Sequence, residues 1–203
     1  MANSFDARAQ SWDDNPGRRQ LAADLFAALE SHVAPQPGWT VLDYGAGTGL
    51  LALALAPRVR RVVAVDSSSG MLAVLAQKAR ASRCANVETL LADFSKDPPP
   101  PGPFDLVVSA MTLHHVADTE TLFRKFFALL APGGSVALLD LDAEDGSFHA
   151  DNAGIPHFGF ERDALARQLA AGGFADIRFA TATRIEKNSR AYPVFLAIAR
   201  RPG

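Results

Sequence analysis

Short β-branched runs recur along this chain with longer Ala- and Leu-rich amphipathic runs between them, a pattern that restricts the fold to helices packed on a largely parallel sheet. Strands are expected at 40–44, 61–65, 87–91, 104–109 and 135–141, each an apolar run bounded by turn residues. Helices fall between them at about 49–57, 69–81 and 118–130, with Pro57 and Ala131-Pro132-Gly133-Gly134 as stops. From Asp97 to Pro103, five prolines and a glycine exclude helix or central strand and predict a stiff surface loop. The fold class is α/β.

The two ends add further elements. Pro16 to Val33 reads as a helix with Leu21, Leu25, Phe26 and Leu29 on one face, preceded by a polar arm containing Phe5 and Trp12. After the fifth strand comes a long loop, then a helix from Glu161 to Ala171 ended by Gly172-Gly173. Two closing runs, Ala175 to Thr183 and Tyr192 to Arg200, are joined by a linker short enough for a hairpin, so the last strand enters antiparallel and seven strands result. Residues 1–203 are expected to form a single domain, with 1–35 as an arm and helix covering the site and 142–160 as a lid-like loop.

With 203 residues, 48% of them hydrophobic, the chain suffices for one sizeable core. A net charge of -2 supplies no general attraction to polyanions, and the pairs Arg18-Arg19, Arg60-Arg61 and Arg200-Arg201 are scattered, so no nucleic-acid partner is expected. Cys84 is the single cysteine, which excludes an internal disulfide, a cysteine-based zinc site and a CxxC redox pair and fits a reducing cytoplasm. No apolar run approaches the ~20 residues that span a bilayer, so a soluble, cytoplasmic protein without membrane insertion is expected. The oligomeric state is not legible.

The stretch Val41-Leu42-Asp43-Tyr44-Gly45-Ala46-Gly47-Thr48-Gly49-Leu50 joins the first strand to the helix after it. Its glycines let a ligand approach the backbone and tolerate positive φ, but Leu50 occupies the position where a dinucleotide fingerprint needs its third glycine. No Gly-Lys-Ser/Thr follows, so a phosphate loop is excluded too. Asp43 would repel a pyrophosphate and attract an ammonium or sulfonium cation. Asp66, ending the second strand, suits the hydroxyl pair of a ribose, and Asp93 with Phe94, after the third, suits the amine and ring of a purine. The set describes a site for an adenosine bearing a cationic tail.

With these residues in place, the chain resembles the class I S-adenosylmethionine-dependent methyltransferases over nearly its whole length. The glycine turn, Asp66, Ala92-Asp93-Phe94, Phe104-Asp105-Leu106-Val107-Val108-Ser109 and Leu130-Ala131-Pro132-Gly133-Gly134 match successive motifs of that family in order. The resemblance implies a Rossmann-like three-layer sandwich with sheet order 3-2-1-4-5-7-6, strand 7 antiparallel, and S-adenosyl-L-methionine as cofactor, with S-adenosyl-L-homocysteine as product. It implies that Asp43, Gly45, Ala46 and Gly47 hold the methionine part and Asp66 the ribose. It puts Ser67 and Met71 beside the nucleoside, Asp93 and Phe94 on adenine, and Ser109 at the methionine end. The arm from Phe5-Asp6 through Trp12-Asp13 to Pro16 is similar to one in uncharacterised bacterial and archaeal members, where it folds over the methionine end. Trp12 then either screens the sulfonium by cation–π contact or packs as a hydrophobic staple.

The segment Ser109-Ala110-Met111-Thr112-Leu113-His114-His115-Val116 looks like the small-molecule branch that includes the ubiquinone and menaquinone methyltransferases. An Asn/Asp-Pro-Pro-Tyr/Phe element is absent, which disfavours methylation of exocyclic base or amide nitrogens. The implied partner is a small-molecule acceptor with an O, C or S nucleophile. His114 and His115 follow the fourth strand as candidate bases for its proton, and either one also suits a capping or packing role. His149, His157 and Phe158 lie in the long loop as candidate acceptor-binding residues, so four of the five histidines are expected to converge. Phe148, Phe158 and Phe160 point to an apolar or aromatic acceptor. No metal is expected, since the histidines lack HxH or HxxxH spacing. A protein or RNA acceptor, or a non-catalytic cofactor-binding module, remains the alternative.

Overall fold

The computed structural model describes residues 5–203. Seven strands, β1 (Thr40–Tyr44), β2 (Arg61–Asp66), β3 (Val87–Leu91), β4 (Phe104–Ala110), β5 (Leu130–Leu141), β6 (Ala175–Lys187) and β7 (Arg190–Arg200), form one sheet of order β3-β2-β1-β4-β5-β7-β6. The first five are parallel, and β7 inserts antiparallel between β5 and β6. The strand order and the direction of β7 agree with expectation.

Alternate residues of each strand face opposite sides, and each side is covered by different helices. On one, α1 (Pro16–Val33), α2 (Leu50–Leu55) and α3 (Ser69–Ala81) bring Leu25, Leu29, Leu55 and Leu75 onto Val41, Val62, Leu106 and Leu139. On the other, α4 (Thr119–Leu129) and α5 (Arg162–Ala171) bring Phe123, Phe126, Leu165 and Leu169 onto Leu42, Val63, Val107 and Leu138. This is an α/β Rossmann-like sandwich of three layers. The helix starts are capped from the sequence: Asn15 accepts the N–H of Gly17, Ser68 that of Met71 and Asp118 that of Thr121.

Two boundaries differ from expectation. β5 begins at Leu130, five residues before position 135, because Leu130 pairs with Phe104 before the register shifts around the Pro132-Gly133 bulge. The closing hairpin is longer on both arms. Asn188 and Ser189 both adopt positive φ, 52° and 60°, which makes a tight two-residue turn without the glycine that usually signals one. Among the described residues no helix is long and apolar enough to cross a membrane.

Candidate active site

The turn from β1 into α2 has positive φ at each glycine, 75° at Gly45, 54° at Gly47 and 79° at Gly49. Two of them are demanded by neighbours: a Cβ on Gly45 would lie 2.2 Å from Thr112 Oγ1, and one on Gly49 2.0 Å from a methyl of Leu75. Gly47 differs. A Cβ there meets none of the described residues within 4 Å, so the backbone at this glycine borders open space that suits a ligand.

Asp43 is 1% exposed, and among the described residues its Oδ2 has no hydrogen-bond partner. Burial, reinforced by the charge of Asp66, pushes its carboxyl up to about 7, against the N–H of Ala52 that favours the charged form. A buried carboxylate oxygen left bare beside an open backbone fits an N–H donor or a cation. Asp66 is differently placed. Its oxygens accept the N–H of Gly47 at 2.7 Å and of Ser68 at 2.8 Å, tying β2 to the turn and leaving acceptor capacity for hydroxyls. Burial raises the Asp66 carboxyl, with those backbone N–H groups opposing it.

The other residues expected at the cofactor fall into two groups. Ala46 N–H is bound to Val65 O, Ser67 is exposed beside Asp66, and Asp93 is half-buried. Burial pulls the Asp93 carboxyl up, but hydrogen bonds from Lys96 and Ser95 together hold it below its ordinary value. By contrast Phe94, Met71 and Ser109 lie within the fold. Phe94 is 1% exposed with its ring 4.8 Å from that of Tyr44, Met71 is 2% exposed, and Ser109 donates its hydroxyl to Tyr44 O.

The N-terminal arm is fastened over this cradle by two carboxylates. Asp13 accepts from Thr48 Oγ1 at 2.7 Å and from Lys78 Nζ at 2.6 Å, while Lys78 also donates to Thr48 O. Asp6 accepts from Ser68 Oγ at 2.6 Å and Gly70 N–H at 2.8 Å, at the start of α3. Between them, one face of Trp12 already carries a cation, since the Arg18 guanidinium sits 3.8 Å from the ring centroid. Phe5 then packs edge-on against Trp12 and against His115, at 5.9 and 5.4 Å between centroids.

Beyond β4 the chain reverses at Met111, whose φ of 52° is unusual for a side chain of its size and brings Thr112 against Gly45. The rings of His114, His115 and His149 then gather, His114 standing 4.2 Å from His115 and 5.1 Å from His149. His114 is buried with Nδ1 2.7 Å from Asp140 Oδ1. Burial, with the neighbouring His114 and His149, pushes His115 down to about 4, and burial with His114 and Lys187 lowers His149 as well, so both are neutral at pH 7. His157 is held elsewhere: its Nε2 donates to Val116 O at 3.0 Å and its ring lies 5.0 Å from Phe160, which fastens the long loop to the segment after β4. Three of the expected four histidines therefore meet. Phe148, not the 40% exposed Phe158, is the phenylalanine packed on His149.

The pairing of Asp140 with His114, and the anchoring of Asp13 by Thr48 and Lys78, were not expected from the sequence. Asp140 had a signal, an acid interrupting the apolar run Val136 to Leu141. The arm's anchors had none, because their partners lie 35 and 65 residues away. Among the described residues, no group of three or more His, Cys, Asp or Glu is placed to hold a metal ion.

A strand-end cradle with open backbone, the buried Asp43, the part-buried Asp66 and a covering arm is the part of this α/β fold suited to a ligand. Residues 41–134 match the family described as a methyltransferase domain, and with the sheet order above the chain carries a class I S-adenosylmethionine-dependent methyltransferase domain. An uncharacterised methyltransferase of Geobacillus kaustophilus is 32% identical over 147 residues, which is 70% of this chain and 66% of that protein. A phosphoethanolamine N-methyltransferase of Triticum aestivum is also 32% identical over 147 residues, 70% of this chain and 29% of that one. The chain thus spans less than two thirds of the length of either relative. Phosphoethanolamine N-methyltransferase 2 of Haemonchus contortus, solved in complex with S-adenosyl-L-methionine, shares the fold with a TM-score of 0.75 at 20% identity, over 88% of this chain and 52% of that one.

Proposed function

We propose that this protein binds S-adenosyl-L-methionine and transfers its methyl group to a small apolar or aromatic acceptor. The observation that carries the donor half is the bare, buried Oδ2 of Asp43 beside the open face of Gly47. The cationic methionine tail goes to Asp43 and the backbone of Gly45, Ala46 and Gly47, and the ribose hydroxyls to the free lone pairs of Asp66. Ser67 and Asp93 border the nucleoside, while Met71, Phe94 and Ser109 support the cradle from within. Trp12, stacked on Arg18, closes the methionine end as part of the arm.

The cofactor supplies an electrophilic methyl on a sulfonium, and the chain contributes alignment, exclusion of water and a place for the acceptor's proton. His114 and His115 are the residues for that proton. His149 and its neighbour Phe148 face the acceptor, with His157 and Phe158 holding and flanking the loop. The small-molecule reading draws on the net charge of -2, which suits no polyanion, and on the wheat relative's name. That name also favours a second acceptor class, an amine nitrogen.

Calorimetry with S-adenosyl-L-methionine tests the donor site: Asp66→Ala and Gly47→Val are each expected to abolish binding, and wild-type affinity in both would sink the assignment. A panel of phenols, quinols, thiols and amines, read by release of S-adenosyl-L-homocysteine, tests the acceptor. Turnover on a protein or RNA substrate alone would overturn the small-molecule reading, and cofactor binding without turnover on any acceptor would favour a non-catalytic module.

A further inference from the structure

Among the histidines one pairing stands out, because nothing in the donor cradle requires it. Asp140, fully buried near the carboxyl end of β5, has Oδ1 2.7 Å from Nδ1 of His114 and accepts the N–H of Leu141 at 2.8 Å through the same oxygen. Its Oδ2 lies 3.4 Å from the backbone N–H of His114. Carboxylate oxygens accept hydrogen bonds, and Oδ1 already accepts the N–H of Leu141, which favours a hydrogen on the ring nitrogen that faces it. Both partners sit on rigid elements, Asp140 inside the sheet between β4 and β7, and His114 in the short turn after β4.

We propose that Asp140 is a positioning residue that holds His114 in the Nδ1–H tautomer, leaving Nε2 bare as the proton acceptor of the site. The role of the bare nitrogen rests on the methyltransferase reading above; the tautomer does not. An acceptor O–H, or an ammonium N–H of a protonated amine, would give its proton to Nε2, the electron pair left behind would form the new bond to the methyl carbon, and the carbon–sulfur pair would stay on sulfur. His114 then holds hydrogens on both ring nitrogens, its charge facing Asp140, until the proton passes to solvent. Among the described residues, neither His115 nor His149 has a hydrogen bond to a carboxylate of this kind, and His149 Nε2 has no partner. The geometry therefore selects His114 as the base.

The test is a histidine ring ¹H–¹⁵N correlation spectrum of the full chain with labelled histidine, His114 assigned through His114→Gln. The expected result is a protonated Nδ1 and an unprotonated Nε2, since a charge-assisted hydrogen bond biases the two tautomers by about tenfold or more. Asp140→Asn is expected to bring the two ring-nitrogen signals toward averaged positions. A bare Nδ1 in the wild-type protein, or an unchanged His114 spectrum in Asp140→Asn, overturns the proposal. The wild-type spectrum decides the matter even where the variant fails to fold. Loss of the methyltransferase reading would appear instead as absent calorimetric binding of S-adenosyl-L-methionine, with the tautomer unaffected.

Discussion

Asp43 and Asp140 are both carboxylates buried at the ends of strands in the middle of the sheet, 1% and 0% exposed, yet one has a bare oxygen and the other is bonded through both of its oxygens. In the cradle, Asp43 Oδ2 has no partner among the described residues. The histidine cluster around Asp140 is completed by the chain itself. The difference teaches that burial alone does not specify a role: an unpaired buried acid fits a cationic ligand, whereas a paired one fixes the geometry of its partner.

The contrast can be broken most forcefully at the turn. Gly49→Val places a branched side chain at a φ of 79° and within 2.0 Å of Leu75, so a loss on the order of 5 kcal/mol is expected by chemical denaturation. If instead Gly49→Val is tolerated, the close packing that separates Gly49 from Gly47 does not exist.

Asp43 comes next. Its carboxyl is raised from 3.8 to about 7, so the folded chain holds the proton more tightly than the unfolded one. The stability it contributes is fully present below pH 3.8 and is lost as pH rises to about 7, where the charged form is buried. At 1.36 kcal/mol per unit the loss reaches at most ~4 kcal/mol. Thermal melts of Asp43→Asn across this window, without ligand, are expected to lose that slope, while saturating S-adenosyl-L-methionine is expected to diminish it in the wild-type protein. An unaltered slope in the variant would mean that Asp43 is not the unpaired group it is taken to be.

The arm supplies a smaller effect. Asp13→Ala removes the bonds to Thr48 and Lys78, whose ion pair is about a quarter exposed on each side, and a loss of about 1 kcal/mol is expected. A double-mutant cycle with Lys78→Ala, read by denaturation, checks whether the pair is coupled. Smallest is Phe158→Ser in the loop, where 40% exposure predicts a change within about 0.5 kcal/mol. A larger loss would show that this loop contributes to the core.

The cradle was legible because its chemistry is local. Asp43, the three glycines and Asp66 fall at the ends of consecutive strands, so their spacing alone brings them together. The strands and helices were legible for the same reason, each being bounded by its own turn residues, whereas their order in the sheet came from the family resemblance. The histidine pair was half legible: His114 and His115 were expected at the end of β4, but Asp140 lies 26 residues on and meets His114 only through β4–β5 pairing. Phe94 and Ser109 show what sequence leaves out, namely the packing of each side chain. Their positions in motifs suggested contact with the cofactor, whereas tertiary packing turns the Phe94 ring onto Tyr44 and the Ser109 hydroxyl onto the neighbouring strand.

The insertion of β7 between β5 and β6 has a consequence for the order of events during synthesis. β6 leaves the ribosome first, but its only neighbour in the sheet is the strand that follows it. Until β7 emerges, β6 has no ladder to join and the edge of β5 beside Asp140 stays open. The parallel strands and their glycine turn can assemble while the chain is still growing, whereas the sheet beside the histidine site closes only afterwards, exposing that edge to chaperones or to mispairing for the longest time.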